Sequence, residues 1–201
     1  MALSTRHSVL GAWHTALTWY LRWRHSKGYG VHSPYAYRFI TEVLRPGNYG
    51  YYAYDHLTTL NRNFKEHRSS FFREARFLIR LAIFLHTKRI ITYKHKYPEA
   101  QIVAKALGKV YFCCESGGNI SFKEGDLLIL PPGIAKGNEI VEKAIELNVP
   151  VFAINPSTEV RNLLEFPIKN GVLFTGVSKI LLIPRQQMEY VAYYISFKLP
   201  N

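Results

Sequence analysis

The chain has 201 residues, enough for one large domain or a domain with an elaborated end, and its 48% hydrophobic content supports a real core rather than a disordered chain. The formal net charge of +12 is unevenly placed: residues 1–97 carry 16 Lys+Arg against 4 Asp+Glu, and residues 98–201 carry 10 against 10. There is no apolar run of about eighteen residues to span a membrane, and Arg6, His7, Trp13 and His14 interrupt the stretch that a secretory leader needs, so a cytoplasmic protein is expected.

Val9, Leu10, Trp13, Leu17, Tyr20 and Leu21 recur at helical spacing and predict a first helix, followed by Arg22, Arg24, His25 and Lys27 where cations favour the helix dipole. The glycines of "KGYG" end it. A second helix is expected to start at Ser33 with Pro34 as its first residue, to turn Phe39, Ile40, Val43 and Leu44 inward, and to stop before "RPGNYG". Asp55 is read as the cap of a third helix carrying Leu57, Leu60 and Phe64. A fourth runs from about Phe71 to His86, with Arg73, Arg76 and Arg80 along its flanks.

After Lys88 the period changes. Short β-rich runs, Arg89 to Tyr93, Val110 to Cys114, Leu127 to Leu130 and Val149 to Ile154, alternate with helical stretches at about Glu99 to Leu107 and Asn138 to Leu147. Strand, helix, strand order predicts right-handed crossovers and a parallel sheet. The segment "GVLFTGVSKILLIPRQQMEYVAYYISFKL" has two long apolar runs joined by the polar "PRQQME" and reads as an antiparallel hairpin closing the sheet. The expected organisation is therefore a basic, aromatic-rich helical region, 1–88, followed by a reduced α/β domain, 89–201. Cys113 and Cys114, adjacent in a predicted buried strand, lack the spacing of a zinc or CxxC site and read as reduced core residues.

All eight histidines and all three tryptophans lie in the basic half. A basic, aromatic half suggests an anionic partner such as a nucleic acid, a phosphorylated ligand or a membrane surface; a set of solvated helix faces has the same composition. Arg22, Arg24 and Lys27 stand beside Trp23 and Tyr29, and Arg73, Arg76 and Arg80 are spaced to fall near one side of a helix, so the two sets together would offer phosphate contacts with aromatic groups for stacking. Among polar pairs, His32 and Ser33 of "GVHSPY" either line a cleft above the sheet or serve as a loop hydrogen-bonding residue and a helix cap. No P-loop, GxSxG elbow, HExxH or paired Cys-His spacing is present, so no metal site is expected and no catalytic residue is assigned.

The stretch "GYGVHSPYAYRFITEVL" resembles the "HGVHSPF" signature that opens a group of Bacteroidetes class I methyltransferase-like proteins, which use S-adenosylmethionine. The resemblance implies a Rossmann-like sheet, mainly parallel with a C-terminal antiparallel hairpin and preceded by N-terminal helices. It also implies cofactor contacts at the ends of the strands, here at Tyr93, His95, Glu115 and Leu130. In the family the first strand ends in an acidic residue and a glycine-rich turn, because backbone must approach the cofactor without Cβ atoms between them. Here those positions read Tyr93, Lys94, His95, Lys96, Tyr97 and Pro98, and the cofactor itself carries a positive sulfonium. Glu115 keeps the acidic position that accepts the ribose hydroxyls. The stretch from Glu115 to Asp126 is too short for the helix, strand and helix the family places there, so at most "NISF" remains as an edge strand. Leu130, Pro131 and Pro132 stand where catalytic relatives present Asp or Asn. Two readings follow: a protein without ordinary S-adenosylmethionine binding that acts as a binding or partner subunit, or a divergent methyltransferase of unknown acceptor.

Overall fold

A computed structural model describes residues 34–45, 51–64, 69–115, 120–134, 137–165, 171–175, 178–184 and 194–196. The chain divides into two compact units, Met1–Gly47 and Asn48–Asn201. This division falls inside the basic helical region, so the third and fourth helices predicted from the sequence belong to the unit that holds the sheet.

In the first unit, α1 (Pro34–Phe39) opens on a proline, whose fixed φ suits a first helical position. It passes into one π-helical turn, Ile40–Leu44, closed by the Arg45 N–H donating to the Ile40 carbonyl at 2.8 Å. Phe39, Ile40 and Val43 are buried as the sequence predicts, Leu44 is half-buried, and Ala36 is buried as well. The first predicted helix, and with it Trp13, Trp23 and the Arg22 to Lys27 run, lies outside the described residues.

The second unit is an α/β layer structure around a seven-stranded sheet in the order β2-β1-β3-β4-β6-β5-β7. Its strands are β1 (Arg89–Tyr93), β2 (Val110–Cys114), β3 (Asp126–Leu130), β4 (Val151–Ile154), β5 (Gly171–Thr175), β6 (Lys179–Pro184) and β7 (Tyr194–Ser196). Its helices are α2 (Tyr52–Phe64), α3 (Ser69–Phe84), α4 (Pro98–Ala106), α5 (Asn138–Glu146) and α6 (Thr158–Glu165). β1, β2, β3 and β4 pair in parallel, β6 runs antiparallel to both β4 and β5, and β7 returns parallel to β5. The fold is Rossmann-like: mainly parallel, with an antiparallel hairpin near its C-terminus.

Strand alternation divides the core. Ile91, Leu128, Leu130, Val151, Ala153, Ile180 and Leu182 form one face and meet Ile140, Val141 and Ala144 of α5 and Val160 and Leu164 of α6. The opposite face is covered by α3 and α4, with Phe77 of α3 tilted against Phe152 of β4 at 5.4 Å between ring centroids. α2 packs on α3 and α4 outside this layer.

Three sequence expectations change. The C-terminal antiparallel hairpin pairs β5 with β6, rather than two long strands joined by "PRQQME". The apolar run from Gly171 to Ile183 is interrupted by Gly176 and Ser178, residues that favour a short hairpin loop over one long strand. The "NISF" stretch is not a strand in its described residues, Ile120 to Phe122: the Ser121 carbonyl is taken by the Arg89 guanidinium at 2.8 Å, and the following Lys123 N–H by the Asp126 carboxylate at 2.7 Å. Those groups are thereby withdrawn from any strand ladder, while Ile120 and Phe122 enter the core. α2 starts at Tyr52, which places Asp55 in its first turn rather than at the cap. A further helix, α6, escaped the sequence reading, although Ser157 accepts the Val160 N–H at 3.4 Å as a helix-start residue does.

Candidate functional site

The carboxyl ends of β1 and β3 are where the sheet changes direction. The β1 crossover through α4 leads outward to β2 on one side, and the β3 crossover through α5 leads to β4 on the other, with the two helices on opposite faces. Loops leaving the two strands therefore part, and in open α/β sheets the crevice between them is the usual place for a ligand.

The turn after β1 has the backbone shape that a glycine would ordinarily supply. Lys94 sits at φ 62°, in the left-handed region that side chains disfavour. It is held there by its N–H donating to the Cys114 carbonyl at 2.7 Å and by the His95 N–H donating to the Tyr93 carbonyl at 2.8 Å. The Lys94 ammonium lies 5.4 Å from the Tyr93 ring centroid, a cation–π contact within the turn itself. Tyr97 then takes an extended conformation ahead of Pro98 and so starts α4 without a side-chain cap. Its N–H donates to the Tyr111 hydroxyl at 3.2 Å, and that hydroxyl lies 2.9 Å from Thr92 Oγ1, which ties the turn to β1 and β2.

A cleft of about 340 Å³ opens beside this turn, lined by Ser70, Phe71, His95, Lys96, Tyr97, Pro98, Glu99, Pro131 and Pro132. The first turns of α3 and α4 both border it, so two helix N-termini meet at one opening together with His95 and Lys96. Pro131 and Pro132 form the wall contributed by the loop after β3, and prolines offer no N–H to a ligand. The opening suits a small polar or anionic group; among its lining residues Glu99 is the one carboxylate.

Behind Tyr97 lies a buried charge pair: Lys179 of β6 donates to Glu74 of α3 at 2.9 Å, with 11% and 15% of the two side chains exposed. Burial, then the negative charges of Glu74 and Glu99, push the Tyr97 phenol far above the usual tyrosine range. The Tyr93 phenol is also raised, chiefly by burial and then by Glu139.

Of the residues singled out in the sequence, His95 lines the cleft. Tyr93 and Leu130 are buried in the sheet core, and exposed Glu115 follows β2. His32 and Ser33 lie outside the described residues. Arg73 is exposed, whereas Arg76 stands 5.3 Å over the Tyr54 ring and Arg80 Nη1 donates to the Tyr54 hydroxyl at 2.9 Å, so two of the three arginines engage α2. The sequence reading missed Ser70, Phe71 and the Glu74–Lys179 pair, because nothing local marks the start of α3 as a cleft wall. Among the described residues no group of His, Cys, Asp or Glu could hold a metal ion, and no helix is long and apolar enough to cross a membrane. Neither Cys113 nor Cys114 is joined in a disulfide. No protein-family model, curated protein or solved structure matches this chain.

Proposed function

We propose that this chain is a methyltransferase-like protein that does not hold S-adenosylmethionine in the ordinary way and acts as a binding or partner subunit. The observation that carries the reading is the turn after β1, where Lys94 takes the left-handed conformation with its side chain in place and is followed by His95, Lys96 and Tyr97 along the cleft. A sulfonium cofactor brought to that turn meets two lysines and a histidine, and Cβ atoms stand where its backbone cradle would need glycine. The shortened stretch between β2 and β3, with Ile120 and Phe122 turned into the core, supports the same reading, since the family places its adenine pocket there. Fold alone does not assign an activity.

A second reading, a divergent S-adenosylmethionine-dependent methyltransferase of unknown acceptor, draws on exposed Glu115 at the carboxyl end of β2, next to β1 in the sheet. Calorimetric titration with S-adenosylmethionine and S-adenosylhomocysteine separates the two. The proposal expects no binding below roughly millimolar, an affinity worth about 4 kcal/mol. A micromolar isotherm abolished by Glu115→Ala would favour the enzyme. For the partner, the basic half points to an anionic surface, and binding to single-stranded and duplex oligonucleotides should then fall steeply with salt. Undetectable binding at low salt leaves a protein partner.

A further inference from the structure

Among the described residues nothing blunts the outer edge of β2. β2 is the terminal strand of the sheet, and among the described residues no strand pairs with its far side. Natural edge strands are usually interrupted by a charge, a proline or a bulge, and the five residues Val110–Cys114, "VYFCC", contain no charge and no proline. Val110 is 60% exposed and Phe112 46%, on the face where Cys114 and Ile91 are buried.

The direction of the backbone groups fixes which residues the edge offers. The Val110 N–H donates inward to the Lys88 carbonyl at 3.4 Å, and the Cys114 carbonyl accepts inward from the Lys94 N–H at 2.7 Å. By the period of a strand, the N–H and C=O groups of Tyr111 and Cys113 point outward. Two copies of this edge set antiparallel about a twofold axis at Phe112 bring Tyr111 opposite Cys113, each exchanging both backbone bonds with the other, and leave Phe112 opposite its own symmetry mate in the close, non-hydrogen-bonded position. The same register places exposed Lys109 of each copy opposite exposed Glu115 of the other. Backbone donors and acceptors, an exposed aromatic at the axis and opposite charges at both ends are thus all matched by one symmetry operation. A strand with a different partner would have no reason to be complementary to itself in a single register.

We propose that this protein forms a homodimer by antiparallel β2–β2 pairing, which joins two seven-stranded sheets into one continuous sheet and covers Val110 and Phe112. The interface is isologous, so each ion pair occurs twice and reversing one charge converts two attractions into two repulsions. It lies on the β2 edge and does not depend on what the cleft binds.

The test is sedimentation equilibrium of the full chain alongside three variants: Lys109→Glu, Glu115→Lys and the double reversal Lys109→Glu/Glu115→Lys. The wild type is expected at twice the 23.2 kDa chain mass. Each single reversal is expected to raise the dissociation constant about tenfold or more, and the double reversal to return it close to the wild-type value, because the pairs are re-formed with their signs exchanged. Both side chains are exposed, and far-UV circular-dichroism spectra that match the wild type confirm that the variants fold, since melting itself shifts with dimer affinity. A wild-type monomer at all accessible concentrations, a dimer indifferent to the single reversals, or single reversals that weaken it without rescue by the double would each overturn the proposal.

Discussion

Asp126→Ala removes the carboxylate that clamps the start of β3 to the start of β1. Asp126 and Arg89 are register partners, with Arg89 Nε donating to Oδ1 at 2.9 Å and Nη2 to Oδ2 at 2.6 Å. The same carboxylate accepts the Lys123 N–H at 2.7 Å and so shapes the loop that replaces an edge strand. The guanidinium is correspondingly held above the usual arginine range, first by its hydrogen bond to Asp126. The side chains are 24% and 2% exposed, which makes the carboxylate buried but leaves the guanidinium a route to water and its bond to the Ser121 carbonyl at 2.8 Å. Charged hydrogen bonds contribute about 1.5–3 kcal/mol each, and losing one partner of a fully buried pair costs about 3–5 kcal/mol. The partial rehydration of Arg89 places Asp126→Ala near the lower limit, about 3 kcal/mol, and Asp126→Asn, which keeps one acceptor, near half of that. Urea unfolding followed by circular dichroism measures both, with an unchanged slope expected. In a double-mutant cycle with Arg89→Ala the coupling should be about 1–2 kcal/mol. A loss under about 1 kcal/mol for Asp126→Ala, or strictly additive single variants, would refute the account.

The Glu74–Lys179 pair should behave differently when broken and when replaced. Glu74→Gln removes the carboxylate charge paired with the buried Lys179 ammonium and should cost about 3 kcal/mol in equilibrium unfolding, while the joint change Glu74→Leu/Lys179→Met should cost less than that single variant. A double variant less stable than Glu74→Gln would contradict this. Tyr97 and Tyr93 keep their protons in the folded protein above the tyrosine value of about 10, where unfolded tyrosines lose them. Their contribution is therefore fully present below pH of about 10 and is lost as pH rises beyond it, so unfolding and phenolate absorbance should rise together on the alkaline side, and Tyr97→Phe should flatten that decline. Gly125 has φ 86°, and a Cβ there would lie 2.9 Å from Lys88 Cγ, so Gly125→Ala should lose about 2 kcal/mol by thermal or urea unfolding; a neutral variant would show that the turn relaxes freely.

The elements whose information is local were legible along the chain. β1, β2 and β3 stand where short apolar runs bounded by turn residues place them, and α4 and α5 start and stop within a residue or two of their periodic stretches. Such signals survive because the period of side chains along a strand or helix is a property of the chain within one element. The same locality explains why Tyr93, His95 and Leu130 could be located at strand ends while their surroundings could not.

What meets across long separations was fixed by packing between elements. Glu74 and Lys179 are 105 residues apart, and Arg89 and Asp126 are 37 apart; neither pair has a periodic signature. The insertion of β6 between β4 and β5 likewise depends on which edge a hairpin finds when it docks, and its apolar run looks the same on any edge. The start of α3 became a cleft wall through its position beside the β1 turn, and Arg76 and Arg80 were drawn onto Tyr54 by the packing of α2. These outcomes follow from burial and from the pairing of buried polar groups, which are settled between elements rather than within them.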